Sequence, residues 1–390
     1  MRNLVVIALL CLVAAPLAAQ NSEEQDFQAR FVEGMRKMQA NDFTGAETVF
    51  RGLLSWTNAP RIKLELARAL YYQQRYREAR EIFNEVLYDP GTPWRVQDNI
   101  EAFVRAIEEA DGYLKFSASV VTDSNPRNIT SQTEFTIGGV PLKFVPPSDN
   151  KKVAGVRYAM QGFQPLPIVP GLSAYLTASY LNYSGASLDR LTLDGGVVKP
   201  LSQRLSTRAG IEAGTLGSST LYRFPYVGAL AVLSQGPLHR LSAEAKTGRV
   251  IFPDFAYLNA DYWSTGLSGL RALTPAIGIG LNTSFERSHA AEKPYSYAGI
   301  AIAPGASWLV LPQGLLFKGE VGISRREYAA IDPLFGEQRV DRKLRIELSA
   351  QNKEWRLGAY RPSLVVSVEQ NRSNIGFYEY RKVNFSIALQ

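Results

Sequence analysis

The side chains best suited to chemistry are few and poorly spaced for it. His239 and His289 are the only histidines, and neither lies at a metal-ligand spacing. Ser288 precedes His289, a pair that would suggest a lipid hydrolase. Adjacent positions on a strand point to opposite faces, however, so the two side chains cannot meet there. The single cysteine, Cys11, lies in an N-terminal apolar run and is expected to be removed with it. That excludes thiolate and zinc–thiolate chemistry from the mature chain. The reading is of a protein that is not an enzyme and uses no cofactor or metal. The basic balance, 43 Lys and Arg against 36 Asp and Glu, comes without a nucleic-acid-binding motif. No nucleic acid partner is expected.

The elements that surround these residues begin with an export signal. Arg2 precedes an apolar run from Leu4 to Val13, and Ala14, Ala15, Ala18 and Ala19 lead into Gln20. This reads as a signal peptide over residues 1–19, cut after Ala19. The run is too short to cross a bilayer, which needs roughly 20 apolar residues as a helix, and no later stretch supplies one. Leu10 occupies a position that a lipoprotein peptidase requires to be small, so no lipid anchor is expected. Without thiols an exported chain cannot use disulfides, and its stability must come from packing, repeats or a closed sheet.

The sequence changes character near Asp111. From Asn21 to Gly112 there are 16 acidic against 12 basic residues, and from Tyr113 to Gln390 there are 20 acidic against 30 basic. The first part repeats with a period of 33: Gly34, Phe43, Ala46 and Phe50 recur as Ala67, Tyr76, Ala79 and Phe83. Self-similarity of this length marks stacked helix pairs, and the pattern resembles a tetratricopeptide repeat (TPR). Asn41-Asp42 and Gln74-Arg75 fall between the helices of each pair, while Pro60 and Pro90 follow the second helices. Two repeats leave an apolar face uncovered. A closing helix with Val96, Ile100, Phe103, Val104 and Ile107 at helical spacing would cover it. These apolar positions read either as a core seam or as a partner-binding groove.

In the second part the period becomes two. Leu205, Thr207, Ala209, Ile211 and Ala213 alternate with polar, charged or glycine positions, as do Ile277, Ile279, Leu281 and Phe285, and Val340, Arg342, Leu344, Ile346 and Leu348. A soluble antiparallel sandwich would show the same alternation. The connections discriminate. Short turns are expected at Pro165–Gly171, Lys199–Arg204, Gln235–Leu238, Leu273–Ala276, Leu311–Gly314 and Gln351–Glu354. Longer loops are expected at Thr122–Lys152, Ser184–Arg190, Thr215–Leu221, Arg249–Leu258, Ser288–Pro294, Arg325–Glu337 and Gln370–Gly376. Six turns alternating with seven loops imply fourteen strands, with short turns toward the periplasm and longer loops outside. A barrel in lipid must close, so the last strand, with Val383, Phe385, Ile387 and Leu389 on one face, is expected to pair with the strand starting at Tyr113.

The fold expected is therefore α + β in separate domains. A periplasmic TPR-like helical repeat domain over 20–112 precedes a 14-stranded antiparallel outer-membrane β-barrel over 113–390. On that topology Arg208, Glu212, Arg240, Glu244, Lys246, Lys318, Glu320, Lys343, Arg345 and Glu347 face the lumen. They read either as pairs that hold the wall together or as a field attracting anionic solutes or acidic chain segments.

Signal, repeats and barrel in this order resemble the surface lipoprotein assembly modifier family, the outer-membrane translocons of type XI secretion. Asp123-Ser124-Asn125-Pro126-Arg127-Asn128 after the first strand is similar to an Asp/Asn-rich turn of that family, and Phe135-Thr136-Ile137-Gly138-Gly139-Val140-Pro141-Leu142 resembles the hairpin that follows. The resemblance implies export of a client protein, a surface lipoprotein or small secreted protein, which the repeats engage in the periplasm and the barrel passes to the surface. It makes Asp123, Asn125 and Asn128 candidates for a functional loop, although Asp and Asn there also stabilise ordinary turns. The partners implied are outer-membrane lipid, the client, periplasmic chaperones and the barrel-assembly machinery. Two other readings are a porin-like or exopolysaccharide-export pore with a TPR scaffold, and a structural module that the barrel merely anchors.

Overall fold

The computed structural model describes residues 24–147, 151–184, 188–217, 219–236, 238–358 and 360–389. The expected signal over 1–19, with Cys11, lies outside the described residues. The chain divides into two compact units, one ending at Asp111 and the other beginning at Gly112.

The first unit is all helical: α1 (24–39), α2 (Phe43–Leu54), α3 (Pro60–Tyr72), α4 (Tyr76–Leu87) and α5 (Trp94–Asp111). The 33-residue period has a backbone counterpart. Asn41 and Gln74, one period apart, both turn the chain through the left-handed region, with φ 59° and 61°. Asp42 caps α2 by accepting from the Gly45 amide at 2.9 Å, and Pro60 opens α3, where its missing N–H costs nothing. The small positions of the repeat are where helices touch. Ala46, Ala67 and Ala79 are fully buried, and a Cβ on Gly34 would lie 2.6 Å from the Phe50 ring. Phe50, Leu53, Leu66, Leu70 and Phe83 fill the core. Helix α5 covers the stack as expected: Ile100 and Ile107 are buried in the same core, and Phe103 stacks on Phe83 with ring centroids 5.2 Å apart.

Polar groups join the repeats as well. Glu47 on α2 accepts from Arg75 Nη1 at 2.7 Å and from Gln73 Nε2 at 3.0 Å, both from the turn after α3, and from Arg51 one helical turn on. Glu65, only 2% exposed, is held between Arg61 and Arg68 at 2.8 and 2.7 Å. Buried carboxylates of this kind are tolerated only when paired.

The second unit is a closed antiparallel barrel with a small hairpin in its first loop. Its first strand is β1 (Tyr113–Asp123), and the hairpin is β2 (Glu134–Ile137) with β3 (Val140–Lys143). The wall continues through β4 (Val153–Pro165), β5 (Ser173–Tyr183), β6 (Arg190–Pro200), β7 (Leu205–Leu216), β8 (Ser219–Gly236) and β9 (His239–Val250). It is completed by β10 (Ala260–Ala272), β11 (Ile277–Ala290), β12 (Tyr297–Val310), β13 (Leu315–Ile331), β14 (Gln338–Asn352), β15 (Pro362–Ser373) and β16 (Tyr380–Leu389). Each wall strand pairs with its neighbours in sequence, and β1 closes against β16. The wall has fourteen strands.

Its outer face is apolar and exposed, as lipid requires: Ile211, Val227, Leu267, Ile279, Ile302, Val321, Leu348, Val366 and Phe385 all point away from the lumen. Trp308 packs beside Phe317 near one end of the wall, in the manner of an interfacial aromatic girdle. This alternation and closure make the chain an outer-membrane β-barrel.

Three connections differ from expectation. Thr215–Leu221, expected as a loop, is strand on both sides of a tight turn at Gly217: the ladder slips by a bulge at Gly214/Thr215 and then continues through Thr220. At Gln351–Glu354, expected as a short turn, Gln351 and Asn352 still belong to β14, and Lys353 and Glu354 begin the longer 353–361 connection, in which Leu357 bridges to Tyr360. Strand β13 likewise runs through Arg325–Ile331, residues expected as loop. The reason is common to the strand extensions. A barrel strand continues into water beyond the hydrocarbon, where its residues no longer need an apolar face.

Candidate functional site

The register decides which side chains share the lumen. The expected lumen residues fall on one face by ladder pairing: Arg208 opposes Gly228, which neighbours Lys246 across β8–β9, and Glu320 opposes Glu347 across β13–β14. Several of them meet. Arg208 Nη2 donates to Glu244 Oε1, and Lys246 Nζ donates to Glu212 Oε2 at 3.0 Å. Arg345 pairs with Glu347 at 2.6 Å, and Lys343 approaches Glu369 at 3.6 Å. Glu320 accepts from Asn282 Nδ2 at 3.3 Å. Arg240 and Lys318 line, with Glu320 and Glu347, a cavity of about 670 Å³ on the short-turn half of the wall.

These pairs belong to a longer circuit that alternation alone did not single out. Tyr175 and Tyr226 hydroxyls lie 2.6 Å apart, and Tyr226 donates to Asp194 at 2.7 Å. Lys246 sits over the Tyr226 ring at 3.9 Å. Tyr222 donates to Glu212, Tyr262 to Glu286 and Tyr380 to Glu369. Arg326 bonds Glu286 at 2.6 Å and covers the Tyr297 ring at 4.7 Å. Arg339 bonds Asp341 at 2.6 Å and lies over Tyr378 at 3.4 Å. A tyrosine–cation–carboxylate circuit thus runs along the inner wall from β5 to β16. The inward tyrosines could have been assigned by continuing the same period of two, but tyrosine is equally suited to the interfacial belts, so residue type alone was silent. Part of the circuit, from Glu212, Tyr222 and Lys246 to Tyr262, Tyr297, Tyr328 and Arg339, borders a cavity of about 440 Å³.

Beside β1, at the long-loop end of the wall, an apolar cluster forms. Val121, Leu181, Tyr183 and Leu188 are buried together, with Val153 and Leu216 against them. Asp123, Asn125 and Asn128 lie beside this cluster, in the turn after β1. Asp123 Oδ1 accepts from the Asn125 amide at 2.8 Å, and its Oδ2 accepts from the Tyr183 hydroxyl at 3.2 Å. Asn125 holds Ile129 at both its amide and its carbonyl, at 3.0 and 2.8 Å. Asn128 adopts φ 53°, a conformation that asparagine tolerates. Pro126 is fully buried, and its carbonyl accepts from Arg190 Nη2 at 2.6 Å. Further along, Phe135 on β2 and Phe144 just past β3 pack edge-on against Phe377 at 5.5 and 5.7 Å. Phe335 joins them from the loop between β13 and β14. The loop after β1 therefore lies against the last two surface loops. Among the described residues no group of three or more His, Cys, Asp or Glu side chains is placed to hold a metal.

Comparison with known proteins bears on this unit. Residues 259–390 match the family model described as surface lipoprotein assembly modifier. No curated protein matches the chain. Among solved structures the chain is similar to the outer membrane protein OmpT of Vibrio cholerae, at 9% identity over 72% of this chain and 98% of that one, with a TM-score of 0.37. It is similar also to an anion-selective porin from Comamonas acidovorans, at 11% identity over 72% and 99%, with a TM-score of 0.38. The outer membrane channel DcaP of Acinetobacter baumannii is alike at 11% identity over 72% and 98%, TM-score 0.38. The matched family segment spans β10 to β16 and carries Glu286, Arg326, Arg339, Asp341 and Glu369 of the lumen circuit. The chain is an outer-membrane β-barrel, and its strands over residues 259–390 are similar to the surface lipoprotein assembly modifier family.

Proposed function

We propose that this protein is a translocon that delivers a client protein, a surface lipoprotein or small secreted protein, to the cell surface. The observation that carries the reading is the coincidence of that family match with half of a closed barrel wall in a chain that also holds a helical repeat unit. In this reading residues 1–19 are the export signal, 20–112 form a TPR-like periplasmic domain that engages the unfolded or partly folded client, and 113–390 form the barrel. The chain enters β1 at the short-turn end of the wall, which supports the periplasmic placement of the helices. No nucleotide is available there, so folding of the client outside biases its passage. Outer-membrane lipid, the client, periplasmic chaperones and the barrel-assembly machinery are the partners. Arg208, Glu212, Glu244, Lys246, Arg345 and Glu347 then serve chiefly to hold the wall, because each has a charged partner. Arg240 and Lys318 are left to meet acidic segments in transit. The reading assigns the chain no catalysis.

The cavity bearing Arg240 and Lys318 also favours a second reading, a pore for anionic solutes or an exopolysaccharide. The apolar cluster of Val121, Leu181, Tyr183 and Leu188 at the long-loop end offers such a solute no polar lining and weighs against it. Surface display separates the two. The chain is expressed in an outer-membrane host with each signal-bearing protein encoded beside it, and intact cells are probed with protease and antibody. A neighbour that reaches the surface only when this protein is present supports export. Solute uptake without any displayed neighbour would replace export by the pore.

A further inference from the structure

The outer wall changes character toward its long-loop end. Arg287 on β11, Arg325 on β13, Arg342 on β14, Arg372 on β15 and Arg381 on β16 are all exposed, and the alternation of each strand turns them away from the lumen. They stand at the edge of the apolar band. Arg287 is two residues beyond Phe285, Arg325 two beyond Ile323, and Arg342 two beyond Leu344, each an exposed apolar side chain on the same face. Three of the arginines share one rung of the ladder. Arg325 opposes Arg342, and Arg342 opposes Arg372. Like charges so placed, with Cβ atoms about 5 Å apart, repel one another. Arg325 is paired with Glu327 at 2.5 Å, whereas the side chains of Arg342 and Arg372 make no ion pair with any described residue. The inward face of the same strand is different: Arg339 is paired with Asp341, and Arg345 with Glu347.

We propose that Arg325, Arg342 and Arg372 form a docking site on the lipid-facing wall for the phosphate of a phosphorylated glycolipid in the outer leaflet. A guanidinium row at the edge of the hydrocarbon meets lipid headgroups, and its planar forks match phosphate oxygens in pairs. The alkyl stems lie along the apolar band while the charged heads reach the interface. Charge selects the class of lipid. With Glu327 offsetting Arg325, three arginines less one glutamate leave the row with two positive charges. A phosphodiester, as in a phospholipid, supplies about one negative charge, whereas a phosphate monoester supplies about 1.5 to 2. The monoester is the closer match, and a glycolipid anchored by its acyl chains holds it at the level of the arginines. Its binding relieves the repulsion within the row and ties β13, β14 and β15 together at the long-loop end.

The test is native mass spectrometry of the full chain released from phosphatidylcholine nanodiscs, with folding verified by heat-modifiable migration. The nanodiscs contain lipid A bearing its phosphate monoesters, the same lipid A stripped of phosphate, or phosphatidylglycerol. The unaltered chain is expected to retain phosphorylated lipid A well above either of the others. Arg342→Gln and Arg372→Gln should each weaken that retention by roughly tenfold, the loss of one hydrogen-bonded charge pair. Arg271→Gln, which removes an outward arginine opposite His239 at the short-turn end, should leave it unchanged. Urea unfolding gives a second readout whose sign depends on the lipid. In phosphatidylcholine alone Arg342→Gln should resist urea at least as well as the unaltered chain, because repulsion is relieved. With phosphorylated lipid A present it should unfold at lower urea than the unaltered chain. Equal retention of the stripped lipid or of phosphatidylglycerol, an equal loss in Arg271→Gln, or a urea shift of the same sign in both lipids would overturn the proposal. No client enters either measurement, so the result stands apart from the export reading, which surface display decides.

Discussion

Glu47 shows what a single side chain contributes to the helical unit. Burial alone would raise its pKa, but hydrogen bonds from Arg51, Gln73 and Arg75 outweigh burial and leave it below the ordinary 4.5. A carboxylate with a depressed folded pKa adds stability that is fully present above its unfolded pKa and is lost as pH falls through the folded value. The helical signal at 222 nm should therefore melt at a constant temperature from pH 7 to about 5.5 and at progressively lower temperature below about 4.5. Glu47→Gln should cost about 1–3 kcal/mol at pH 7, as expected when one partner of a charged hydrogen bond is removed. It should also flatten the acid limb, and an unchanged limb in that variant would assign the acid loss to other carboxylates. The sequence places Glu47 on a helix face and Arg75 in a turn one repeat later, but nothing local says that they meet. The same holds in the lumen. Alternation puts Arg208, Glu244, Lys246 and Glu212 on one face, whereas the pairing of Lys246 with Glu212 depends on the register of three strands.

At the scale of the element, β12 offers a direct comparison of the two faces. Ile302, near its middle, is exposed on the outer wall, while Ala303 beside it points inward among small residues. Ile302→Arg should destabilise the barrel by about 2–4 kcal/mol, the cost of a cation near the bilayer midplane. Ala303→Arg should leave folding nearly unchanged, because the lumen is wet and already bears charge. Urea titrations of folding into phosphatidylcholine vesicles, read by heat-modifiable migration, check both, and equal costs at the two sites would mean that the faces are wrongly assigned. Strand existence and facing were legible because a period of two is a local property of the chain. Strand ends were less so. Thr215–Leu221 and Arg325–Ile331 are polar and read as loops, yet they stay in the wall because a ladder needs backbone partners, not apolar side chains, once it leaves the hydrocarbon. The 353–361 connection lacked any comparable signal.

For the whole molecule, the order of helical repeats followed by fourteen strands follows from two periods and an alternation of six short turns with seven longer loops, and closure then follows from the absence of tolerable edges in lipid. What the sequence did not reveal is how the loop after β1 is used. Phe135, Phe144, Phe335 and Phe377 come from three widely separated loops, and their cluster exists only once the wall has closed and brought β1 beside β16. Each unit has its own core: Phe50, Phe83 and Ile107 centre the helical one, and the ladders of the wall are complete without it. Deleting residues 24–111 while keeping the export signal should therefore leave a barrel that inserts and migrates as a heat-modifiable band. If the helices receive the client, the same deletion should abolish display of any neighbour that the full chain exports, and restoring 24–111 should recover it. A deletion variant that inserts and still displays the client would assign reception to the barrel itself, with the lumen cations Arg240 and Lys318 as the first residues to test.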